Sequence, residues 1–460
     1  MALPAARQSW RDRTLHGREA TRIHDGDSLA RHWRGVHRYS RPTLLIVALA
    51  CATTLMVNAA PEERRARTAA HSTVPREVRA LWVTRTSLVS PADVARVVRD
   101  AQRYGFNTLL VQVRGRGDAY FNESIEPRAE SLAAQPTAFD PLEELIAAAH
   151  PLGLEVHAWI SVNLAASATT LPTSRTHVVH AHPEWLMVPR ALVATLGPID
   201  PHRPEYVQRL AQWTRAHNRT VEGLFVSPIP VAAAAYTSEV VADLVRRYAV
   251  DGVHLDYIRY PNAEFDYSPA ALDAFRAEML PTLETETRTR LDTRREVAAT
   301  AYADAFPDRW AAFRRARLTS LVEQLAGSVR TLRPNVLVSA AVIPDPREAS
   351  DHRLQEWTVW LASGLVNVVC PMMYTSSAQR FAAQADLIRE AAGAAVWAGI
   401  GAWQLSPAET VRRIDAARAR RFAGVALFSY DSLAARRQAF LATVDRQAFQ
   451  AATGGAPGSR

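Results

Sequence analysis

The chain has 460 residues, 48% of them hydrophobic, enough to bury a sizeable core and to exclude wholesale disorder. All 54 basic residues are arginine, so lysine Schiff-base chemistry is excluded. The net charge of +8 is uneven: residues 1–79 hold 14 Arg and 7 acids, a net of +7, which locates the basicity at the N-terminus and argues against a nucleic-acid-binding face.

In chain order, residues 1–42 form a basic region. Residues 43–60, TLLIVALACATTLMVNAA, are uncharged and mostly apolar. Arg31, Arg34, Arg38 and Arg41 precede them, and Pro61 and a charged run over 62–67 follow. This order reads as a signal peptide ending near Ala59 and Ala60, or as a membrane anchor at the short limit for a span. The stretch before Cys51 departs from a lipoprotein box at Ala48. The expected location is secreted or in the cell envelope, with membrane contact through this segment alone. Residues 61–75 are polar and Pro-bounded, a linker. Residues 446–460 read as a flexible tail.

The body, residues 76–445, alternates short apolar runs with amphipathic stretches. Strands are predicted over 78–83, 107–113, 154–160, 252–258, 336–342, 366–373, 396–402 and 424–430. Several are nearly all apolar, as for parallel strands buried on both faces. Helices are predicted over 91–104, 141–152, 238–248, 310–332, 353–363, 378–392 and 406–421. Pro91 and Pro141 suit a first helical turn. Gly105, Gly153 and Gly424 are placed to end helices in the left-handed conformation. Eight strand–helix units predict an α/β fold, a (β/α)8 barrel with long insertions after strands three and four. No glycine-rich phosphate loop follows the first strand, which disfavours a dinucleotide-binding sheet.

Barrel chemistry sits at the C-terminal ends of the strands. Glu77, Glu155 and Asp251 precede their strands and are expected to bridge or cap at the bottom. Asp118, Asp256 and Asp345 lie at or after the ends of strands two, four and five, and Asp431 follows strand eight. In strand four, His254 and Asp256 share one face, with Val253, Leu255 and Tyr257 on the other. An inward Asp256 either pairs with Arg259 or Arg114, or serves a ligand. Strand two leads into Arg114-Gly115-Arg116-Gly117-Asp118-Ala119-Tyr120. His157 and Trp159 share a face of strand three. Trp82, Trp159, Tyr374, Trp403 and Tyr430 bring aromatic rings to the rim. Rings, carboxylates and Arg together suit a carbohydrate, whose C–H faces stack and whose hydroxyls take charged hydrogen bonds. No HExxH or G-x-S-x-G occurs, and no metal or cofactor is expected. The two cysteines, Cys51 and Cys370, read as small apolar residues.

The run Asp251-Gly252-Val253-His254-Leu255-Asp256-Tyr257-Ile258-Arg259-Tyr260-Pro261 resembles the signature of the glycosyl hydrolase-like 10 family. So do Arg79-Ala80-Leu81-Trp82-Val83-Thr84, Gly117-Asp118-Ala119-Tyr120-Phe121 with Glu126-Pro127, and His157-Ala158-Trp159. His182-Pro183-Glu184-Trp185-Leu186 and Cys370-Pro371-Met372-Met373-Tyr374-Thr375 match as well. The resemblance implies a (β/α)8 fold in exported bacterial proteins and hydrolysis of glycosidic bonds, with cell-wall glycan a substrate class of relatives. Asp256 matches the family's strand-four acid and Asp118 the acid of its strand-two loop. Two positions depart: Tyr257 stands where many members carry a second Asp, and Ser161 where Asn is frequent.

The expectation is therefore an exported glycoside hydrolase acting on a polysaccharide or glycan, not on nucleic acid. Asp256 is one catalytic carboxyl, and Asp118 and Asp345 compete for the other place. Arg114, Tyr120, His157, Trp159, His254, Arg259, Tyr374 and Trp403 are the expected substrate-binding residues. The alternatives are a carbohydrate-binding barrel without catalysis and a metal-dependent deacetylase or hydrolase built on His254 and Asp256.

Overall fold

A computed structural model describes residues 76–450. The basic region, the apolar segment 43–60, the linker and the last ten residues of the expected tail lie outside the described residues.

Eight parallel strands form one sheet: β1 (Val78–Val83), β2 (Thr108–Arg114), β3 (Glu155–Ser161), β6 (Gly252–Asp256), β7 (Leu337–Val342), β8 (Val368–Pro371), β9 (Trp397–Gly401) and β10 (Gly424–Phe428). Their order is β8-β7-β6-β3-β2-β1-β10-β9. Parallel bridges between Val369 and Val396 and between Met372 and Gly399 join the two edge strands, so the barrel is nearly closed. All eight predicted strands are present, with ends shifted by up to two residues. A short antiparallel pair, β4 (Leu164–Ala166) and β5 (Leu224–Phe225), stands apart from the barrel.

Local chemistry sets the helix ends. Ser90 Oγ accepts from the Asp93 N–H at 3.2 Å, with Pro91 at the first helical position. Asp140 accepts from the Leu142 and Glu143 N–H groups ahead of the helix Pro141–Ala149. Gly105 and Gly153 take positive φ as expected. Gly424 does not: the left-handed residue of that turn is Arg421. Gly424 instead lies inside β10, where a Cβ would strike the Val78 carbonyl oxygen.

The strands divide two cores by parity. Val253, Leu255, Leu81 and Val83 face outward into the large core shared with the helices. Ala80, Trp82, Trp159, Cys370, Trp397 and Ala426 fill the barrel interior. Each insertion has a core of its own. The one after β3 packs Trp185, Tyr206 and Leu210, and the one after β6 packs Phe275, Trp310 and Phe313. The helix Thr285–Arg295 of that second insertion was not expected. Its sequence buries Leu291 alone and so carries no apolar stripe to read. At the C-terminal end, Asp445–Phe449 continues as a turn of helix, with Phe449 buried 5.4 Å from Phe106. The first residues of the expected tail are thus part of the fold.

Candidate functional site

Asp256 ends barrel strand four. It is 8% exposed and lines a cavity of about 370 Å³ at the C-terminal rim. Its Oδ2 accepts from the Trp159 indole N–H at 3.0 Å, and its Oδ1 from the Tyr257 N–H at 2.7 Å. Tyr257 holds positive φ, an uncommon conformation for a residue with a bulky side chain. Burial raises the Asp256 pKa above the usual carboxylate range, against the Tyr257 N–H, the Arg259 charge and the Trp159 N–H, which favour the ionised form. Trp82, Phe428, Tyr374, Met372 and Gln112 line the same cavity. Burial, and then the nearby Asp256, push the Tyr374 phenol well above its ordinary value.

Arg259 lines this cavity and is held from outside it by Glu222 at 2.6 Å, its guanidinium 4.8 Å from the Tyr257 ring centre. Trp403 is 39% exposed. It stands edge-on to Tyr374 at 5.0 Å and to Phe428 at 5.7 Å. Asp118 and Tyr120 line a second cavity of about 250 Å³. Arg85, from the turn after β1, lines both cavities. Arg85, Thr84 and Gln112 were not expected in the site. The sequence signal for Gln112 was available, since a polar residue in the apolar run of β2 needs a reason.

Several expected site residues lie elsewhere. Arg114 is 1% exposed. It forms a two-bond ion pair with Glu126 at 2.6 and 2.7 Å and donates to the Ser161 and Val162 carbonyls, so it lines neither cavity. His254 is fully buried beneath Trp82. Its Nε2 accepts from the Trp82 indole at 3.0 Å, so Nδ1 carries the proton and donates to Ser339 at 2.9 Å. Burial holds it neutral, with its pKa lowered to about 3. His157 lies near the other end of the barrel, in a hollow with Glu155, Asp251 and Asn335. Asp345 caps the helix Pro346–Arg353, accepting from the Arg347 and Glu348 N–H groups, and lines neither cavity. Tyr430 donates to Asp100 at 2.7 Å, away from both cavities. The bottom-face acids behave as expected: Asp251 accepts from the Val156 N–H and meets His150, and Glu77 pairs with Arg418.

Among the described residues, no group of three His, Cys, Asp or Glu could hold a metal ion. Cys370 is fully buried in the barrel interior.

The pattern of the glycosyl hydrolase-like 10 family matches residues 77–201 and 199–397. The chain belongs to the glycosyl hydrolase-like 10 family. Within curated proteins it is similar to glycosyl hydrolase DigH of Escherichia coli strain K12, 23% identical over 64% of this chain and 62% of that protein. It is also similar to glycosyl hydrolase YngK of Bacillus subtilis, 23% identical over 40% of this chain and 34% of that one. The chain thus spans less than two thirds of the length of either relative. This glycosyl hydrolase-like 10 barrel shares its fold with the PgaB (BpsB) glycoside hydrolase domain of Bordetella bronchiseptica. That likeness has a TM-score of 0.56 at 14% identity and covers 80% of this chain and 99% of that one. The catalytic domain of β-amylase from Paenibacillus polymyxa gives a TM-score of 0.52 at 11% identity, over 81% and 98%.

Proposed function

We propose that this protein is an exported glycoside hydrolase that cleaves O-glycosidic bonds of a polysaccharide such as a cell-wall glycan, with Asp256 as its proton donor. The observation that carries the reading is the Asp256 carboxyl, buried among Trp82, Trp159, Tyr374 and Phe428 at the C-terminal end of barrel strand four. A carboxyl in an aromatic pocket keeps its proton to a higher pH and can deliver it to a leaving oxygen. The reaction needs that proton on the bridging oxygen as the C–O bond breaks, and water to add to the sugar carbon. Asp118, on the neighbouring cavity, takes the place of the second carboxylate. Trp159 and Tyr257 fix the Asp256 oxygens, and the ring faces supply stacking for the sugar. Export rests on the residue order of segment 43–60.

A second reading has one observation in its favour. Asp256 is the single carboxylate among the residues lining its own cavity. A carbohydrate-binding barrel without catalysis would need no partner acid there. Incubating the purified protein with peptidoglycan and a polysaccharide panel, and weighing the products by mass spectrometry, separates the two. Hydrolysis that falls about 10²-fold or more in Asp256→Asn is expected for an acid–base group. Binding without cleavage by the wild-type protein would establish the non-catalytic barrel. Cleavage undiminished in Asp256→Asn would remove Asp256 from the mechanism.

A further inference from the structure

Most buried arginines at the upper end of this barrel have assigned partners: Arg114 has Glu126, and Arg259 has Glu222. Arg85 and Arg116 differ. Arg116 is half-buried, and its guanidinium has no hydrogen-bonded or ion-paired partner among the described residues. Its Nε is buried without an acceptor. Arg85 donates to the neutral Gln112 Oε1 at 2.9 Å, interacts with the Tyr120 phenol, and pairs with no acid among the described residues. The two guanidiniums lie near enough that Arg85, after burial itself, pushes the Arg116 pKa down. Two converging cations are costly to bury. Asp118 and the Tyr257 and Tyr120 phenols offset part of that cost without hydrogen-bonding the Arg116 guanidinium, and a ligand that brings negative charge would offset more.

The backbone is shaped to hold them so. Gly115 leaves room for Arg85: a Cβ there would stand 2.5 Å from Arg85 Cδ and 2.9 Å from its Nε. The Arg116 N–H donates to Asp118 Oδ1 at 2.8 Å. His177 Nε2 donates to the Arg116 carbonyl at 2.8 Å, while its Nδ1 accepts from the Val179 N–H. The main chain around Arg116 is thereby pinned on both sides, with the side chain left unpaired. The cavity also carries hydroxyls, from Tyr120, Ser131 and Ser167. Its two carboxylates are turned to other donors: Asp118 to the Arg116 N–H, and Glu130 to the Thr173 N–H and hydroxyl.

We propose that Arg85 and Arg116 form a subsite for the carboxylate of a sugar acid, so that the glycan taken by this barrel is an anionic one. The inference rests on the glycoside hydrolase reading, because Arg85 also lines the Asp256 cavity and places this subsite beside it. A planar guanidinium meets a carboxylate with two parallel hydrogen bonds, and a second guanidinium adds charge and orientation.

The test is calorimetric or NMR titration of the full chain with glucuronate, galacturonate and N-acetylmuramate, against glucose, galactose and N-acetylglucosamine. Wild type, Arg116→Gln, Arg85→Gln and Asp256→Asn are compared, with circular dichroism to verify folding. The acids are expected to bind tighter than their neutral counterparts by on the order of tenfold, less so at high salt. Arg116→Gln and Arg85→Gln should each remove most of that preference, and Asp256→Asn should keep it. Equal binding of acid and neutral sugars, no binding of either, or a preference unchanged in both arginine variants overturns the proposal. Retained acid preference with no cleavage of any glycan would instead overturn the hydrolase reading and leave the subsite standing.

Discussion

Asp256 is a buried carboxyl held by two N–H donors, from Trp159 and Tyr257. Its folded pKa is raised, first by burial. The folded state therefore binds this proton more readily than the unfolded chain, whose Asp titrates near ~3.9. The contribution to stability is full below that value and is lost as pH rises through the folded pKa. Above it, the ionised carboxylate is a buried charge that costs stability. Asp256→Asn does not titrate. Its melting temperature relative to wild type should climb with pH across this window and then level off. Thermal melts of both proteins from pH 3 to 9 check this, and a flat difference would mean the carboxyl is not buried in solution. The Trp159 indole N–H favours the ionised form, so Trp159→Phe should raise the Asp256 pKa further. The basic limb of the pH–rate profile of glycan cleavage should then move to higher pH. An unmoved limb would assign the essential proton to another group.

At the scale of elements, the rim depends on how β2 and β3 are tied together above the barrel. Arg114, the last residue of β2, reaches Glu126 in the following loop and the Ser161 and Val162 carbonyls at the end of β3. Removing one partner leaves a buried charge uncompensated, at about 3–5 kcal/mol. Arg114→Ala should lose about that much in a urea titration, whereas Arg114→Met with Glu126→Leu should recover much of it. Equal loss in both would place the destabilisation in packing. This pair also explains a misplaced expectation. The sequence puts Arg114 beside Gly115, Arg116 and Asp118 at a strand end. Only the fold of the 119–128 loop brings Glu126 back to it and leaves Arg116 as the unpaired one. His157 and His254 were misplaced for a related reason. Alternation gives the face of a strand, not the depth. Two residues along a strand are ~6.6 Å apart. Thus Asp256 reaches the cavity while His254, two residues earlier, is buried against Trp82. Trp159 is level with His254 and reaches Asp256 by its longer indole, and His157, two residues lower still, lines the hollow near the other end.

For the whole molecule, closure is thinnest between β8 and β9, where two parallel bridges replace a full ladder. Gly399 sits at this seam. A Cβ there would meet the Pro371 carbonyl oxygen at 2.5 Å, a backbone atom that cannot swing aside. Gly399→Ala should destabilise the barrel by about 1–3 kcal/mol through overpacking. It should also speed amide exchange in β8 and β9 ahead of β2 and β3. Uniform exchange across all strands would show that the seam is no weaker than the rest.

The barrel was written in the sequence because a parallel strand buried on both faces must be apolar along its length, and a covering helix must be amphipathic. Eight such alternations leave few architectures, and the inward parity of Asp256 follows from a period of two. The bottom-face roles of Glu77 and Asp251 were legible for the same reason: they precede their strands. What the sequence could not fix is which inward residues stand at the mouth and which loop residues meet across it. That depends on strand register and on contacts between distant segments. Examples are Arg85 laid across Gly115, the 119–128 loop returning Glu126 to Arg114, and Asp345 spent on capping a helix. These are set when the ring of strands closes, because closure fixes the height of every residue along the barrel axis at once.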